Sequence, residues 1–294
     1  MTLLIVNSVI IAAFLVFLIL KGKSSKATSW VASIKARLLQ MMAGSKDMRR
    51  FSGFISAPIA WISNPSLWAS GLDFSGTAAG IMGLGGVGGG TLITPRHVLF
   101  ADHVPYRTMP FPFDVFFVNN AGKTLGYKVT AIQQVGITDI AIGTLDRDVD
   151  SSLAIYPILP DNWTDYIQTR IEDRSVMGTR GLWIQTLLPV LYSTQNKVIS
   201  TGDLTQIYLG IGEVTPPTFE PAKEFATGLV TGDSGNPIFV LVGNQLVLLG
   251  AWFKGQSGAL IGSFPWLQEY RSQVEAITGI RLRTADLSKF NRVA

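Results

Sequence analysis

Short apolar runs dominate the chain from about residue 90 onward, and Gly, Pro, Asn or Asp residues separate them. Runs of this length with such boundaries predict β-strands. Gly243 and Asn244 separate the last two runs and predict a hairpin turn. The predicted strands are Thr91–Thr94, Val115–Val118, Tyr127–Ile132, Ile140–Gly143, Trp183–Tyr192, Thr205–Leu209, Pro237–Val242 and Gln245–Phe253.

A helical period replaces this pattern near the end of the chain. The apolar side chains that fall on one helical face are Trp266, Tyr270, Val274 and Ile277. Ser263 can cap this helix, Pro265 suits its first turn, and Gly279 can end it. The sequence therefore predicts an all-β domain that is closed by a C-terminal helix.

The residues before residue 90 have a different character. Apolar residues at helical spacing predict a short amphipathic helix from Trp30 to Met42. Residues 51–90 are rich in Gly, Ser, Ala and Pro, which is typical of a linker that merges into the domain. We therefore expect a basic juxtamembrane segment and linker over residues 23–75, a folded domain over 76–280 and a tail over 281–294.

The first residues form the longest apolar run, from Leu3 to Leu20, with no charged residue. Eighteen residues are close to the shortest length that spans a bilayer as a helix. A cleaved signal peptide is the alternative, but it usually has a basic start, and here the basic residues Lys21, Lys23 and Lys26 follow the run instead. We expect an uncleaved transmembrane helix within residues 1–22 that contacts the lipid bilayer through residues 3–20.

Charge is distributed unevenly along the chain. Residues 1–50 carry a net charge of +7, and residues 51–294 carry −3. A mildly acidic body argues against a nucleic-acid partner. The basic segment either meets anionic lipid headgroups or forms a solvated linker. Its position after the apolar run predicts a single-pass membrane protein whose domain lies on the cytoplasmic side.

The chain contains no cysteine, which excludes disulfides, thiolate zinc sites and a cysteine nucleophile. Residues 83–88 match the glycine pattern of dinucleotide-binding loops, but that pattern needs a preceding strand and a following helix. A strand-like run, Thr91–Thr94, follows instead. We therefore expect neither a metal ion nor a cofactor.

The segment most informative about chemistry is residues 232–237, Gly-Asp-Ser-Gly-Asn-Pro. A serine hydroxyl becomes a strong nucleophile when a neighbouring base removes its proton. Glycines around Ser234 allow backbone N–H groups to converge on a developing oxyanion. A plain turn between strands is the alternative interpretation of this segment.

Two histidines limit the choice of a base. His103 ends an apolar, strand-like run and precedes Pro105, which predicts an exposed position at the rim of a sheet. His97 follows Pro95 and Arg96, where a turn or strand-edge residue is the ordinary explanation. We favour His103. Because both histidines precede Ser234, the order of residues excludes an α/β-hydrolase triad.

An imidazole base needs a carboxylate that orients it. Asp139 stands at the head of the apolar run Ile140–Gly143, where an acid is costly unless it is hydrogen-bonded. Asp102 is a rival, but neighbouring residues on a strand point to opposite faces. The remaining candidates lie in a polar loop, Asp146, Asp148 and Asp150.

These motifs together resemble the chymotrypsin/trypsin family of serine peptidases. Phe100–His103 is similar to the family's Thr-Ala-Ala-His, and Gly89–Ile93 to its Gly-Gly-Ser-Leu-Ile. Asp139–Ile142 is similar to Asp-Ile-Ala-Leu, Gly232–Pro237 to Gly-Asp-Ser-Gly-Gly-Pro, and Ala251–Phe253 to Ser-Trp-Gly. The resemblance covers residues 76–280 and implies two six-stranded antiparallel β-barrels with the site between them.

The resemblance also implies roles for individual residues. His103, Asp139 and Ser234 would form a catalytic triad, and the N–H groups of Gly232 and Ser234 an oxyanion hole. Substrate-binding residues would be Gly228, Thr231, Ala251, Trp252 and Phe253. Gly228 would lie at the base of an uncharged pocket, and Phe253 would narrow its entrance. Glu224 could fold into this pocket and is the open alternative.

One departure from the family concerns activation. Many members bury a new N-terminus against the aspartate that Asp233 matches. No Ile-Val-Gly-Gly start precedes His103 at the needed distance. We therefore expect Asp233 to accept a hydrogen bond from a backbone or side-chain donor, and activity to need no cleavage.

These observations predict a membrane-anchored serine endopeptidase that cleaves a protein or peptide substrate through an acyl-enzyme. A viral polyprotein-processing protease has the same chemistry and remains a subtype to consider. A catalytically silent binding module is the competing class.

Overall fold

A computed structural model of the protein describes residues 29–82, 88–176, 179–194, 197–255 and 262–293. The described residues contain two α-helices, α1 (Trp30–Met42) and α2 (Arg271–Thr278). The strands are β1 (Phe51–Ser56), β2 (Ile59–Ser63), β3 (Gly80–Ile81), β4 (Thr91–Thr94), β5 (His97–Ala101), β6 (Phe113–Val118), β7 (Thr124–Gln134), β8 (Ile140–Leu145), β9 (Arg170–Val176), β10 (Thr179–Ser193), β11 (Ile199–Tyr208), β12 (Ile211–Thr215), β13 (Pro237–Val242), β14 (Gln245–Ala251), β15 (Lys254–Gly255) and β16 (Gly262–Pro265).

The first sheet has six antiparallel strands in the order β3-β6-β7-β8-β5-β4. It curls until its edges meet, since Thr77 bridges Thr91 and the Ala78 N–H donates to Gly90 O at 2.8 Å. Alternate residues of β6 point inward, so Phe113, Val115 and Phe117 are buried. The first predicted barrel therefore has the expected number of strands.

The second sheet has eight strands where the sequence predicted six. Six of them follow the order β14-β13-β10-β11-β12-β16, and β15 extends that path. The Leu267 N–H donates to Leu249 O at 2.9 Å, which brings the β16 end back to β14. The extra strand β9 exists because β10 is fifteen residues long, and its N-terminal half pairs with β9 where β13 no longer reaches.

The predicted strands lie within or largely overlap observed strands. Pro237–Val242 agrees at both ends, and the predicted hairpin turn is confirmed, with Gly243 at φ 65°. The linker interpretation of residues 51–90 is wrong in part. Phe51–Ser56 and Ile59–Ser63 form a hairpin, and Trp61 packs on Phe116 of the first sheet with ring centroids 5.6 Å apart.

Helix α1 has the predicted bounds, and Ser29 caps it by accepting a hydrogen bond from the Ala32 N–H. Its buried side chains belong to the core of the second sheet. Trp30 is fully buried, and its Nε1 donates to Leu241 O at 2.8 Å. Residues 30–42 are thus a packed part of the fold, which differs from the predicted juxtamembrane linker.

The C-terminal helix is shorter than predicted. Gly262–Pro265 pairs with Ile211–Val214 as strand β16, so Ser263 and Pro265 belong to a sheet rather than to a helix start. The helix begins only at Arg271 and ends, as predicted, at Gly279 with φ 66°. Beyond it the tail packs on the body, since the Ile158 N–H donates to Arg283 O at 2.9 Å.

Across the ranges given above, no helix is both long and apolar enough to cross a bilayer. The predicted anchor, residues 3–20, lies outside the described residues.

Because one face of α1 is buried and the other is exposed, we expect substitutions on the two faces to change the free energy of unfolding by very different amounts. We expect Trp30→Ala to lower the free energy of unfolding by about 3–5 kcal/mol, because it removes a buried indole and leaves a cavity. Leu39→Ala, on the exposed face of the same helix, should change it by less than about 0.5 kcal/mol. Urea denaturation of both variants measures the difference, and equal losses would contradict the packing described here.

Candidate active site

Two neighbouring strands of the first sheet bring a histidine and an aspartate together. His103 follows the end of β5, and Asp139 precedes the start of β8. Ala101 and Ile140 are direct partners in the antiparallel register of these strands. The two polar residues therefore emerge at the same end of the sheet, as the Asp102 N–H···Asp139 O bond of 3.1 Å also shows.

The Asp139 carboxylate contacts His103 through both oxygens. Oδ2 lies 2.7 Å from Nδ1 of the imidazole, and Oδ1 accepts the His103 backbone N–H at 2.7 Å. A carboxylate at Nδ1 favours the tautomer with its proton on that nitrogen, which leaves Nε2 as an acceptor. Nε2 lies 2.7 Å from Oγ of Ser234. An unbroken chain of contacts thus joins carboxylate, imidazole and hydroxyl.

Ser234 lies in a turn of the second sheet that the first sheet holds. The Gly88 N–H donates to Gly232 O at 3.0 Å, and the Gly89 N–H donates to Ser234 O at 2.8 Å. This approach requires glycine at position 235, because a Cβ there would lie 2.4 Å from Gly89 O. Gly235 also has φ 80°, a left-handed conformation that other residues rarely adopt.

The backbone around Ser234 has two N–H groups that find no acceptor among the described residues. Asp233 closes a tight turn on Val230, since its N–H donates to Val230 O at 3.1 Å and its Oδ2 accepts the Val230 N–H at 2.7 Å. In the second of these bonds, the Val230 N–H is the donor. It is the kind of backbone donor that we expected for Asp233 from the sequence. Within the described ranges, no acceptor is found for the N–H of Gly232 or of Ser234.

The rival residues lie elsewhere or have other partners. His97 is at the opposite end of β5 from His103, and its Nδ1 contacts Thr94 Oγ1 at 2.8 Å. Burial lowers the pKa of His97. Asp146 forms an ion pair with Arg147 at 2.5 Å. The imidazole of His103 therefore faces Asp139, and none of these alternatives lies in the chain of contacts with Ser234.

A cavity of about 250 Å³ adjoins Ser234. Three of the predicted substrate-binding residues line it, Thr231, Trp252 and Phe253. Gly228 and Ala251 are not among its lining residues within the described part of the chain. In place of Gly228, the neighbouring Leu229 lines the cavity together with the exposed Lys254.

The Leu229 side chain fills space that two glycines leave open. A Cβ at Gly262 would lie 2.3 Å from Leu229 Cδ1, and a Cβ at Gly255 would lie 2.8 Å from it. The cavity is consequently small. Glu224 is not a lining residue, because its carboxylate forms an ion pair with Lys46 at 2.6 Å.

Phe253 lines both this cavity and a second one of about 670 Å³. The second cavity reaches Asp139 and has a mainly apolar wall that includes the fully exposed Ile137, together with Ile211 and Pro265. An extended chain that passes Ser234 would therefore meet one small and one larger apolar recess.

Sequence reasoning missed several residues that support the site. Gly88 and Gly89 hold the Ser234 turn, and the buried Tyr106 donates to Gly89 O at 3.0 Å. Lys197 lies buried beneath the same turn. Its only signal in the sequence is a cation between two apolar strands, which also fits an ordinary surface turn.

Nowhere in the described ranges do three His, Asp or Glu side chains gather as metal ligands.

The chain is similar to several solved structures. A chain titled human heparin binding protein has a TM-score of 0.48 and 14% sequence identity, over 72% of this chain and 95% of that chain. Two mutants of human heparin binding protein have TM-scores of 0.46 and 0.47 and identities of 15% and 16%, over 70% and 72% of this chain and 92% and 95% of theirs. No family model matches the chain, and no curated protein matches it.

Because Gly235 lies close to Gly89, we expect a methyl group at position 235 to destabilise the fold more than a methyl group at position 279. Gly279 has a similar φ of 66° but open space around it, so Gly279→Ala should cost only about 1–2 kcal/mol of left-handed strain. Gly235→Ala should cost a further 1–3 kcal/mol or so, because the methyl group overlaps Gly89 O. Denaturant unfolding of both variants tests this, and equal costs would show that the two sheets are not in close contact here.

Proposed function

We propose that the protein is a serine endopeptidase with chymotrypsin/trypsin-like chemistry, in which Ser234 is the nucleophile, His103 the general base and acid, and Asp139 the residue that orients His103. The observation that carries the proposal is the pair of 2.7 Å contacts that the imidazole makes, one to Asp139 Oδ2 and one to Ser234 Oγ. A base within hydrogen-bonding distance of the nucleophile, itself oriented by a carboxylate, is the arrangement that acyl transfer requires.

In the first half of the reaction, Ser234 Oγ attacks the carbonyl carbon of the scissile peptide bond while His103 Nε2 accepts the hydroxyl proton. The carbonyl oxygen becomes an oxyanion. The intermediate then collapses, the C–N bond breaks, and Nε2 gives its proton to the departing amine. An acyl-enzyme remains on Ser234. Asp139 stays ionised throughout and stabilises the imidazolium.

Water completes the cycle. It attacks the acyl carbon while His103 Nε2 again accepts a proton, and the ester bond to Oγ breaks as Nε2 returns that proton to Ser234. In both halves the backbone N–H groups of Gly232 and Ser234 stabilise the oxyanion. The support for this role is that both N–H groups flank Asp233 and lack an acceptor in the described ranges. One such donor typically contributes about 10²–10³-fold in rate.

The pocket beside Ser234 is suited to small, uncharged side chains on the acyl side of the bond. Leu229 fills part of the space, and Phe253 lines both cavities. A substrate Lys or Arg would bring a second cation close to Lys254. Of the nearby acids, Glu224 is paired with Lys46, and the buried Asp233 already accepts the Val230 N–H. Desolvating an unpaired cation is costly.

Membrane attachment through residues 3–20, with the peptidase domain on the cytoplasmic side, is also part of this proposal. Its support is the uncharged run itself and the charge of +7 over residues 1–50. A tethered peptidase of this kind would act on peptide bonds close to the membrane surface.

The proposed roles predict a large loss of peptide hydrolysis when either Ser234 or His103 is replaced. Ser234→Ala and His103→Ala should each lower kcat by roughly 10⁴-fold or more, since removal of one triad member disables the others. Ser151→Ala, an exposed serine away from the triad, serves as the matched control and should leave the rate unchanged. Hydrolysis of a peptide library by the three variants measures this. Full activity of Ser234→Ala would refute the assignment, and an inactive but folded wild-type chain would favour the silent binding module.

The pocket predicts a change of specificity on substitution of Leu229. The wild-type enzyme should prefer small apolar side chains on the acyl side and discriminate against Lys and Arg. Leu229→Ala should enlarge the cavity and admit larger apolar side chains, with a gain of about tenfold or more in their kcat/KM relative to small ones. Cleavage profiling of both proteins tests the idea. A wild-type preference for Lys or Arg would contradict it.

A further inference from the structure

We infer that Lys197 is a positioning residue of the active site: its buried ammonium group supports the turn that carries Ser234 and balances the buried carboxylate of Asp233. The inference rests on the proposed function, because it concerns how the nucleophile and the oxyanion-binding N–H groups are held. Lys197 does not touch the reacting atoms and acts through Asp233 and Asn236.

Contacts beneath the turn support this role. Lys197, Asp233 and Asn236 are all buried, with 8%, 3% and 2% of their surface exposed. Nζ of Lys197 donates to Asn236 Oδ1 at 3.4 Å, and the Asn236 N–H donates to Asp233 O at 3.0 Å. The ammonium therefore reaches the turn through Asn236, and the negative charge of Asp233 raises the pKa of Lys197. A buried cation without such compensation would be strongly unfavourable.

The backbone of Lys197 is held as firmly as its side chain. Its φ is 56°, a left-handed value that is strained for a residue with a Cβ. Two hydrogen bonds maintain it, from the Lys197 N–H to Thr194 O at 2.8 Å and from the Arg50 N–H to Lys197 O at 2.8 Å. The Ile199 N–H also donates to Met48 O at 2.8 Å. The segment before β1 thus fixes Lys197 in place from outside the two sheets.

The charged and titratable groups around Lys197 determine its protonation. Burial lowers its pKa first, the neighbouring cation of Arg50 lowers it further, and Asp233 raises it, with a result of about 8. Burial raises the pKa of the Tyr192 phenol to about 12, and the charge of Asp233 also acts to raise it, so the phenol stays neutral. Lys197 is therefore a group near the turn whose charge changes at about pH 8.

Loss of this proton would remove the positive charge that Lys197 places near Asp233 and would disturb the Ser234 turn. We expect activity to fall as pH rises through about 8. Global stability should not fall for the same reason. Between the folded pKa of about 8 and the ordinary value of 10.5, the unfolded chain binds the proton that the folded protein has lost, so this group makes folding more favourable as pH rises. Alkaline inactivation without unfolding is the distinguishing behaviour.

The first experiment tests the electrostatic contact independently of catalysis. The pKa of Lys197 is measured by NMR in protein labelled at lysine side chains, with Lys197→Arg used to assign the signal. Asp233→Asn should lower this pKa by about 0.5 or more, because the attractive charge is gone. An unchanged pKa would overturn the inference, whatever the enzymatic activity. If Asp233→Asn does not fold, a Lys197 side chain that is already neutral at pH 7 in the wild-type protein overturns it instead, because a neutral amine balances no charge.

The second experiment tests positioning, with the rate of fluorophosphonate labelling of Ser234 as the readout. Lys197→Met should reduce this rate by about tenfold or more, which corresponds to the loss of one charge-assisted contact. Lys197→Arg keeps the cation and should recover most of the rate while it removes the alkaline limb near pH 8. Lys128→Met, at an exposed lysine far from the turn, is the matched control.

The outcomes of the two experiments are separable. Folded Lys197→Met that is labelled at the wild-type rate would overturn the inference while the proposed function stands. A wild-type protein that is not labelled at all would contradict the proposed function, and the NMR measurement would still decide whether Lys197 and Asp233 interact. Circular dichroism of each variant shows whether it folds.

Discussion

The contact between His103 and Ser234 depends on the relative position of two separately formed sheets. His103 and Asp139 belong to the first sheet, Ser234 belongs to the second, and a 2.7 Å contact joins them. A shift of about 1 Å would be enough to break this geometry. The backbone bonds from Gly88 and Gly89 to the Ser234 turn hold the two sheets together at the same place. The support of the Ser234 turn and the docking of the sheets are therefore one structural feature.

The chain achieves this docking without disulfides, since it contains no cysteine. Residues before the first sheet provide packing and hydrogen bonds that hold the fold together. Helix α1 packs into the core of the second sheet, and the segment from Met48 to Arg50 pairs with the loop that holds Lys197. The guanidinium of Arg50 is buried and contacts Thr77, the residue that closes the first sheet on Thr91. The N-terminal segment thus connects the closure of one sheet to the Ser234 turn of the other.

Structural elements that depend mainly on neighbouring residues could be predicted from the sequence. Strand Pro237–Val242, helix α1 and the Gly243 turn follow from apolar periodicity and turn residues, and they agree with the structure. The three residues of the proposed triad could be singled out because each lies in a short, distinctive motif. Their distance from one another in the sequence, up to 131 residues, did not hinder this.

Features that depend on distant partners could not be predicted in the same way. The hairpin of β1 and β2 has the Gly, Ser and Pro content of a linker and is recognisable only from its packing on the first sheet. Ser263 and Pro265 carry helix signals, but pairing with Ile211–Val214 takes precedence. Lys197 looks like a residue of an exposed turn, because its burial follows from contacts with Arg50 and Asn236, which lie far from it in sequence.

The most direct test of the central claim is mass spectrometry of the protein after reaction with a fluorophosphonate. We expect one adduct per chain, on the peptide that contains Ser234, and no adduct when His103 is replaced by Ala. The probe forms this bond only with an activated serine, so no knowledge of the natural substrate is needed. A folded protein that acquires no adduct, or one that carries the adduct on another serine, would contradict the account.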